Sequence, residues 1–168
     1  MPVQRLNHAV LYVREVDRSV AFYTAALGFR VIVSLPGGAF LQAEGSTNDH
    51  DLGLFAMGER GGAPTAGIST VGLYHLAWEV DTLAELARIA GVLREHGALV
   101  GASDHGSTKA LYAKDPDGLE FEVSWLVPAD LLGPEKQMQA APLDIDAEIA
   151  RYGADTPGGI GVSVPSLR

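Results

Sequence analysis

Two stretches of this chain repeat the same run of apolar and polar positions. Leu6 to Val13 alternates as a half-buried strand does, and so does Leu73 to Val80. After the first, Asp17 is placed to cap a helix carrying Val20, Tyr23 and Leu27 on one face, and Gly28 is placed to end it. Strand-like runs follow at Phe29–Leu35, Ala39–Ala43 and Asp51–Met57. After the second, Thr82 to Glu85 reads as a capping box for a helix with Leu83, Leu86, Ala87, Ala90 and Leu93 at helical spacing, ending at Gly97. Strand-like runs then fall near Ala98–Gly101, Thr108–Lys114 and Leu119–Leu126. Each unit reads βαβββ, over about residues 5–57 and 71–126. Between them lies a linker, Glu59–Thr70, rich in Gly, Ala, Pro and Ser. The expectation is an α+β domain over residues 1–126 followed by an extension, 127–168. That extension is Pro-rich, with one helical candidate at Leu143–Tyr152 and a loose tail from Gly153, and is expected to drape over the domain or be partly disordered, without carrying chemistry.

The repeat sets His8 and His75 at matching points, opening the two units, while Glu122 lies in the last strand-like run after the turn Asp115-Pro116-Asp117-Gly118. Two imidazoles and one carboxylate make a complete protein ligand set for a divalent metal with open positions. Glu120 and Glu122 share strand parity and hence a face, which leaves both as candidates on periodicity alone. The chain has no cysteine, which excludes disulfides, thiolate ligands and cysteine nucleophiles. A net charge of −9 with no basic stripe opposes nucleic-acid binding. With 168 residues, 47% hydrophobic, and a mean hydropathy of +0.13, the chain should fold as one globular domain. No apolar run reaches membrane-spanning length and none resembles a secretory signal, so a cytoplasmic protein without membrane association is expected. His96, before Gly97, fits a helix end, and Trp78 and Trp125 read as core or pocket wall.

The motifs His8 to Val13, Arg18 to Tyr23, Leu27-Gly28-Phe29, His75 to Val80 and Asp115 to Glu122 together resemble the vicinal oxygen chelate superfamily, over roughly residues 5–126. That group includes glyoxalase I, extradiol dioxygenases, fosfomycin-resistance proteins and bleomycin-binding proteins. The resemblance implies paired βαβββ units around a cupped, metal-bearing cavity, with His8, His75 and Glu122 as ligands. The family spacing of four residues after Gly118 selects Glu122 over Glu120. Carrying the 47-residue interval from His75 to Glu122 back onto His8 puts the fourth position near Phe55, where resemblance to glyoxalase I would call for a ligand; Gly53, Leu54, Phe55, Ala56 and Met57 offer none, and Glu59 lies beyond the expected strand. Two His and one carboxylate form the facial triad of non-haem Fe(II) oxygenases.

Further positions resemble catechol 2,3-dioxygenase-like proteins. They are His50, before the fourth strand of the first unit, His105 in Asp104-His105-Gly106, and Tyr112, ten residues before Glu122. Pro142 to Ile145 resembles a segment that follows such a unit in that group. The departure is size, since the familiar ring-cleaving enzymes have two such domains. The resemblance implies an Fe(II)-dependent extradiol-type dioxygenase acting with O2 on a small aromatic vicinal diol, with Mn, Zn or Ni as other metals. His50 would serve as acid–base, Tyr112 would hydrogen-bond the substrate oxygen, and His105 would support either. A homodimer is expected. The alternatives are a glyoxalase-like isomerase or thiol transferase, and a metal-free small-molecule binding or resistance protein.

Overall fold

The structure is a computed structural model that describes residues 2–3, 5–65, 69–132 and 140–159. The chain divides into two compact units. Met1–Pro64 and the turn Asp115–Gly118 make the first, and Thr65–Lys114 with Leu119–Arg168 the second.

In the first unit, strand β1 (Ala9–Val13) is followed by helix α1 (Val16–Leu27) and strands β2 (Arg30–Leu35), β3 (Gly38–Gln42) and β4 (Leu52–Ala56). The sheet order is β1-β4-β3-β2, with β1 parallel to β4 and the other pairs antiparallel. Phe22, Tyr23 and Ala26 of α1 are buried together with Val13, Ala39, Leu41, Leu52 and Leu54 of the sheet. The helix starts earlier than its sequence suggested. Glu15 is the N-cap, without a side-chain cap bond, and Asp17 sits inside the first turn, where its charge complements the helix dipole. Gly28 ends α1 at φ 70°, a conformation that favours glycine.

The Asp115–Gly118 turn is tied to α1. Asp117 accepts from the Arg14 backbone N–H at 2.8 Å and pairs with the Arg18 guanidinium, and the Tyr23 hydroxyl donates to Asp115 Oδ2 at 3.2 Å. Burial, reinforced by the Asp115 charge, holds the Tyr23 phenol well above its ordinary value. A raised folded-state value means that this stability is fully present below the unfolded phenol's ~10 and is lost as pH rises towards the folded value. Urea midpoints should therefore fall above about pH 10, and Tyr23→Phe should flatten that fall. An alkaline limb equally steep in the variant would remove Tyr23 as its cause.

The second unit repeats the plan with β5 (Leu76–Val80), α2 (Leu83–Glu95), β6 (Leu99–Asp104), β7 (Thr108–Lys114) and β8 (Glu120–Leu126). Its sheet runs β5-β8-β7-β6, extended by a short strand, β9 (Ala141–Pro142), on the β6 edge. Leu83, Leu86, Ile89, Ala90 and Leu93 of α2 are buried, with Leu111, Phe121, Val123 and Trp125 of the sheet. Half of the expected capping box forms. Thr82 Oγ1 accepts from the Glu85 N–H at 3.2 Å, but the Glu85 carboxylate turns to Arg88 instead, at 2.6 Å. His96 Nδ1 lies 2.9 Å from the Val92 carbonyl at the end of α2.

The extension is fastened to this unit. Helix α3 (Ile145–Tyr152) is capped by Asp144, which accepts from the Ala147 N–H at 3.1 Å, and α3 packs on α2. Beyond it the chain is not a loose tail as far as Gly159. Ala84 N donates to Ala154 O at 2.9 Å, Gly158 N to Asp81 O at 2.8 Å, and Gly159 N to Leu126 O at 3.2 Å. Gly158 lies so close to the Trp125 indole and the Leu126 carbonyl of β8 that no Cβ fits, an approach that only glycine allows. The rest of the expected tail, 160–168, lies outside the described residues. Among the described residues no helix is long and apolar enough to cross a membrane.

Candidate active site

The candidate residues fall into one group in each unit. In the second unit, His75 immediately precedes β5, and strand register sets Ala77 beside Glu122 and Glu122 beside Tyr112. His75 Nε2 stands 3.2 Å from Glu122 Oε2. The His75 and Tyr112 rings are 5.9 Å apart, and Tyr74 lies against His75 at 4.7 Å. His105 Nε2 is 2.9 Å from the Tyr112 hydroxyl. Burial first, then the Glu122 charge, raises the Tyr112 phenol above its ordinary value, so Tyr112 keeps its proton at neutral pH and remains a hydrogen-bond donor. Glu120 is engaged elsewhere, 3.3 Å from Lys114 Nζ across the β7–β8 pair.

These residues fit a divalent cation. An imidazole nitrogen and a carboxylate oxygen face each other, and the other ring nitrogen, Nδ1 of His75, is buried with no hydrogen-bond partner among the described residues. Among the described residues no group of three or more His, Cys, Asp or Glu forms a ready-made metal cluster, so the second unit supplies a pair of donors.

In the first unit, the His8 and His50 rings lie against each other, centroids 4.5 Å apart and planes tilted by 40°. His8 Nδ1 lies 2.7 Å from the Asn7 amide oxygen, an acceptor only, so Nδ1 donates and the lone pair of Nε2 is left for a ligand. His50 Nδ1 stands 3.2 Å from Asp49, whose carboxyl is held low chiefly by the His50 backbone N–H. Phe40 meets His50 edge-on at 4.9 Å and Phe55 at 5.8 Å. The loop that carries His50 is organised by Asp51, which accepts from Ser46 Oγ and Asn48 Nδ2, each at 2.7 Å, and from the Ala43 N–H at 2.9 Å.

Strand register corrects the fourth position. Ala77, two residues after His75, pairs with Glu122, which pairs with Tyr112; Val10, two residues after His8, pairs with Gly53, which pairs with Phe40. The counterpart of Glu122 is thus Gly53 and not Phe55. The interval from His8 to Gly53 is 45 residues against 47 in the second unit, and equal spacing cannot reveal a two-residue difference in the intervening loops. Glycine offers no side-chain donor at that position. A Cβ at Gly53 would sit 3.3 Å from Val10 and 3.4 Å from the Phe40 ring. Asn7, Tyr74 and Phe40 were not singled out from sequence. Asn7 and Tyr74 each directly precede one of the repeated histidines, a shared position that could have flagged them.

The chain thus carries two βαβββ units, with a His–carboxylate pair and a tyrosine in the second and two neighbouring histidines in the first. Residues 5–123 match the Glyoxalase/Bleomycin resistance protein/Dioxygenase superfamily, and the chain belongs to it. It is 34% identical over 122 residues to catechol-2,3-dioxygenase of Bacillus subtilis, covering 70% of this chain and 40% of that protein. It is also 34% identical over 120 residues to biphenyl-2,3-diol 1,2-dioxygenase 3 of Rhodococcus globerulus, covering 71% of this chain and 62% of that protein. The chain therefore spans less than two thirds of the length of each. Among solved structures, a glyoxylase/bleomycin resistance protein/dioxygenase domain from Frankia sp. EAN1pec matches with a TM-score of 0.62 at 22% identity, covering 73% of this chain and 92% of that one. A fosfomycin resistance protein from Listeria monocytogenes matches at 0.55 and 17% identity, covering 73% and 93%. These last two show the shared fold.

Proposed function

We propose that the chain is an extradiol-type ring-cleaving dioxygenase acting on a small aromatic vicinal diol, with Fe(II) held by His8, His75 and Glu122. The observation that carries this reading is the second-unit group, in which a protonated Tyr112, steadied by His105, stands beside the His75–Glu122 pair. The two ring-cleaving relatives at 34% identity support it. Gly53 in the fourth position disfavours a four-ligand isomerase. Held by His8, His75 and Glu122, a metal would supply Lewis-acid activation of the diol and a place for O2.

The protein's own residues divide the remaining work. His50 accepts a proton from the diol and later returns one to the opened product; Tyr112 donates a hydrogen bond to a substrate oxygen; His105 keeps that phenol oriented. Phe40 and Phe55 beside His50 offer apolar faces to an aromatic ring.

Protein loaded anaerobically with Fe(II) should consume O2 with a member of a catechol panel and form a coloured ring-opened product. His50→Ala and Tyr112→Phe should each lose roughly 10²-fold or more in turnover, while metal content stays at the parental level. No O2 uptake across the panel, with turnover of glutathione adducts under zinc or nickel, would overturn this reading.

We also propose a homodimer. Strand β2 is a sheet edge whose Val31, Ile32, Val33 and Leu35 are all exposed, the kind of edge that pairing covers. Sedimentation at micromolar concentration should give a dimer; a monomer refutes it.

A further inference from the structure

The most deeply buried cation of the described residues is remote from any proposed ligand. Lys109 of β7 has a side chain only 1% exposed, and side-chain alternation puts it on the sheet face opposite Tyr112. Its Nζ donates to Asp104 Oδ1 at 2.5 Å. It also lies 2.9 Å from Glu148 Oε2 of α3, an ion pair in which that oxygen makes no hydrogen bond among the described residues, and 5.6 Å from the centre of the Tyr152 ring. A buried lysine held by two carboxylates is costly to keep, and it has to be explained by what it holds.

Asp104 Oδ1 also accepts from the Gly106 backbone N–H at 2.7 Å. The same oxygen thus ties the buried lysine to the turn that carries His105. That turn is closed by His105 N donating to Thr108 O at 2.9 Å and by Gly106 at φ 77°, and Val127 N donates to Ser107 O at 3.0 Å. Its product is the 2.9 Å contact between His105 Nε2 and the Tyr112 hydroxyl. The lysine end of the network is fixed from the extension. Glu148 reaches it from the first turn of α3, Tyr152 closes over it from the last, and Tyr152 in turn lies 5.6 Å from the buried Trp125 ring.

We propose that Lys109, clamped by Glu148 of α3, is a positioning residue that sets the Asp104–Gly106 turn and so aims His105 at Tyr112. The C-terminal extension thereby becomes a working part of the site. This rests on the proposed catalytic roles of Tyr112 and His105, but the arrangement itself is testable without them.

The test compares Lys109→Met, Lys109→Arg, Glu148→Gln and Asp104→Asn, first in metal-free protein by ¹⁵N NMR of the His105 ring nitrogens and the Gly106 amide. Lys109→Met should move both sets of resonances, Glu148→Gln should move them less, and Lys109→Arg should restore them. In Fe(II)-loaded protein, Lys109→Met should lower kcat on the order of 10²-fold with little change in KM, as expected of a misaimed group. Glu148→Gln and Asp104→Asn keep the shape of the site if Lys109→Met fails to fold. His105 and Gly106 resonances that match the parent in folded variants overturn the proposal. Because the NMR readout needs neither metal nor substrate, it decides this point even if the parent consumes no O2.

Discussion

Glu122→Ala should cost the protein its divalent metal, whereas Glu120→Ala should bind it as the parent does. Both carboxylates lie on β8 with the same parity, and sequence periodicity alone does not separate them. Their partners do. Glu122 faces His75 Nε2 at 3.2 Å and lies in register with Tyr112, whereas Glu120 is spent on Lys114. Loss of a ligand's outer hydrogen-bond partner already costs about 10–100-fold in metal affinity, so loss of a ligand itself should exceed that range. His75→Ala and His8→Ala should behave like Glu122→Ala, since two remaining donors hold a metal poorly. Competition titration with a chelating dye, with stoichiometry checked by elemental analysis, reads the result. Stoichiometric binding by His75→Ala would sink the assignment, and weakened binding in Glu120→Ala alone would transfer the role to that residue.

The fold was legible because both units carry their periodicity openly. Alternation after each histidine, helical spacing ending near Gly28 and Gly97, and the Asp115–Gly118 turn all reappear in the structure. Of the residues named from sequence, His75, Glu122, Tyr112 and His105 lie together in the second unit, and His8 and His50 lie together in the first. What stayed hidden was register. Residue counting led to Phe55, and the pairing of Val10 with Gly53 shows that loop length, which periodicity does not constrain, had shifted the alignment by two. The two-residue slip keeps the strand face, and neither Gly53 nor Phe55 offers a side-chain oxygen or nitrogen donor.

Hidden for a different reason was the extension. Its composition resembles a solvated tail, because glycine and proline carry no signal of what they lie against. Gly158 is close to the Trp125 indole only because no side chain intervenes, and composition reads that closeness as looseness. Lys109 was equally unreadable. A lysine in a strand normally faces water, and the two carboxylates that allow its burial come from the end of β6 and from a helix about forty residues on.

Lys109→Met should destabilise the fold by about 3–5 kcal/mol, the range for breaking a buried ion pair by removing one partner. The methionine fills most of the lysine's volume, so the loss is electrostatic and not a cavity. Asp104 and Glu148 are left facing each other with no cation between them, Asp104 retaining only its Gly106 contact. Chemical denaturation should show a lower midpoint with an unchanged m value, since the same surface is exposed on unfolding. A second change distinguishes charge from packing. Pairing Lys109→Met with Glu148→Leu removes the orphaned carboxylate and adds apolar contact beside Tyr152 and should recover a substantial part of the loss, because replacing a whole buried ion pair is often near neutral. The double-mutant cycle then gives a large coupling energy between positions 109 and 148. Additive losses, with the double variant weaker than either single one, would show that α3 is held by its packing on α2 and that the buried lysine contributes nothing to fastening the extension.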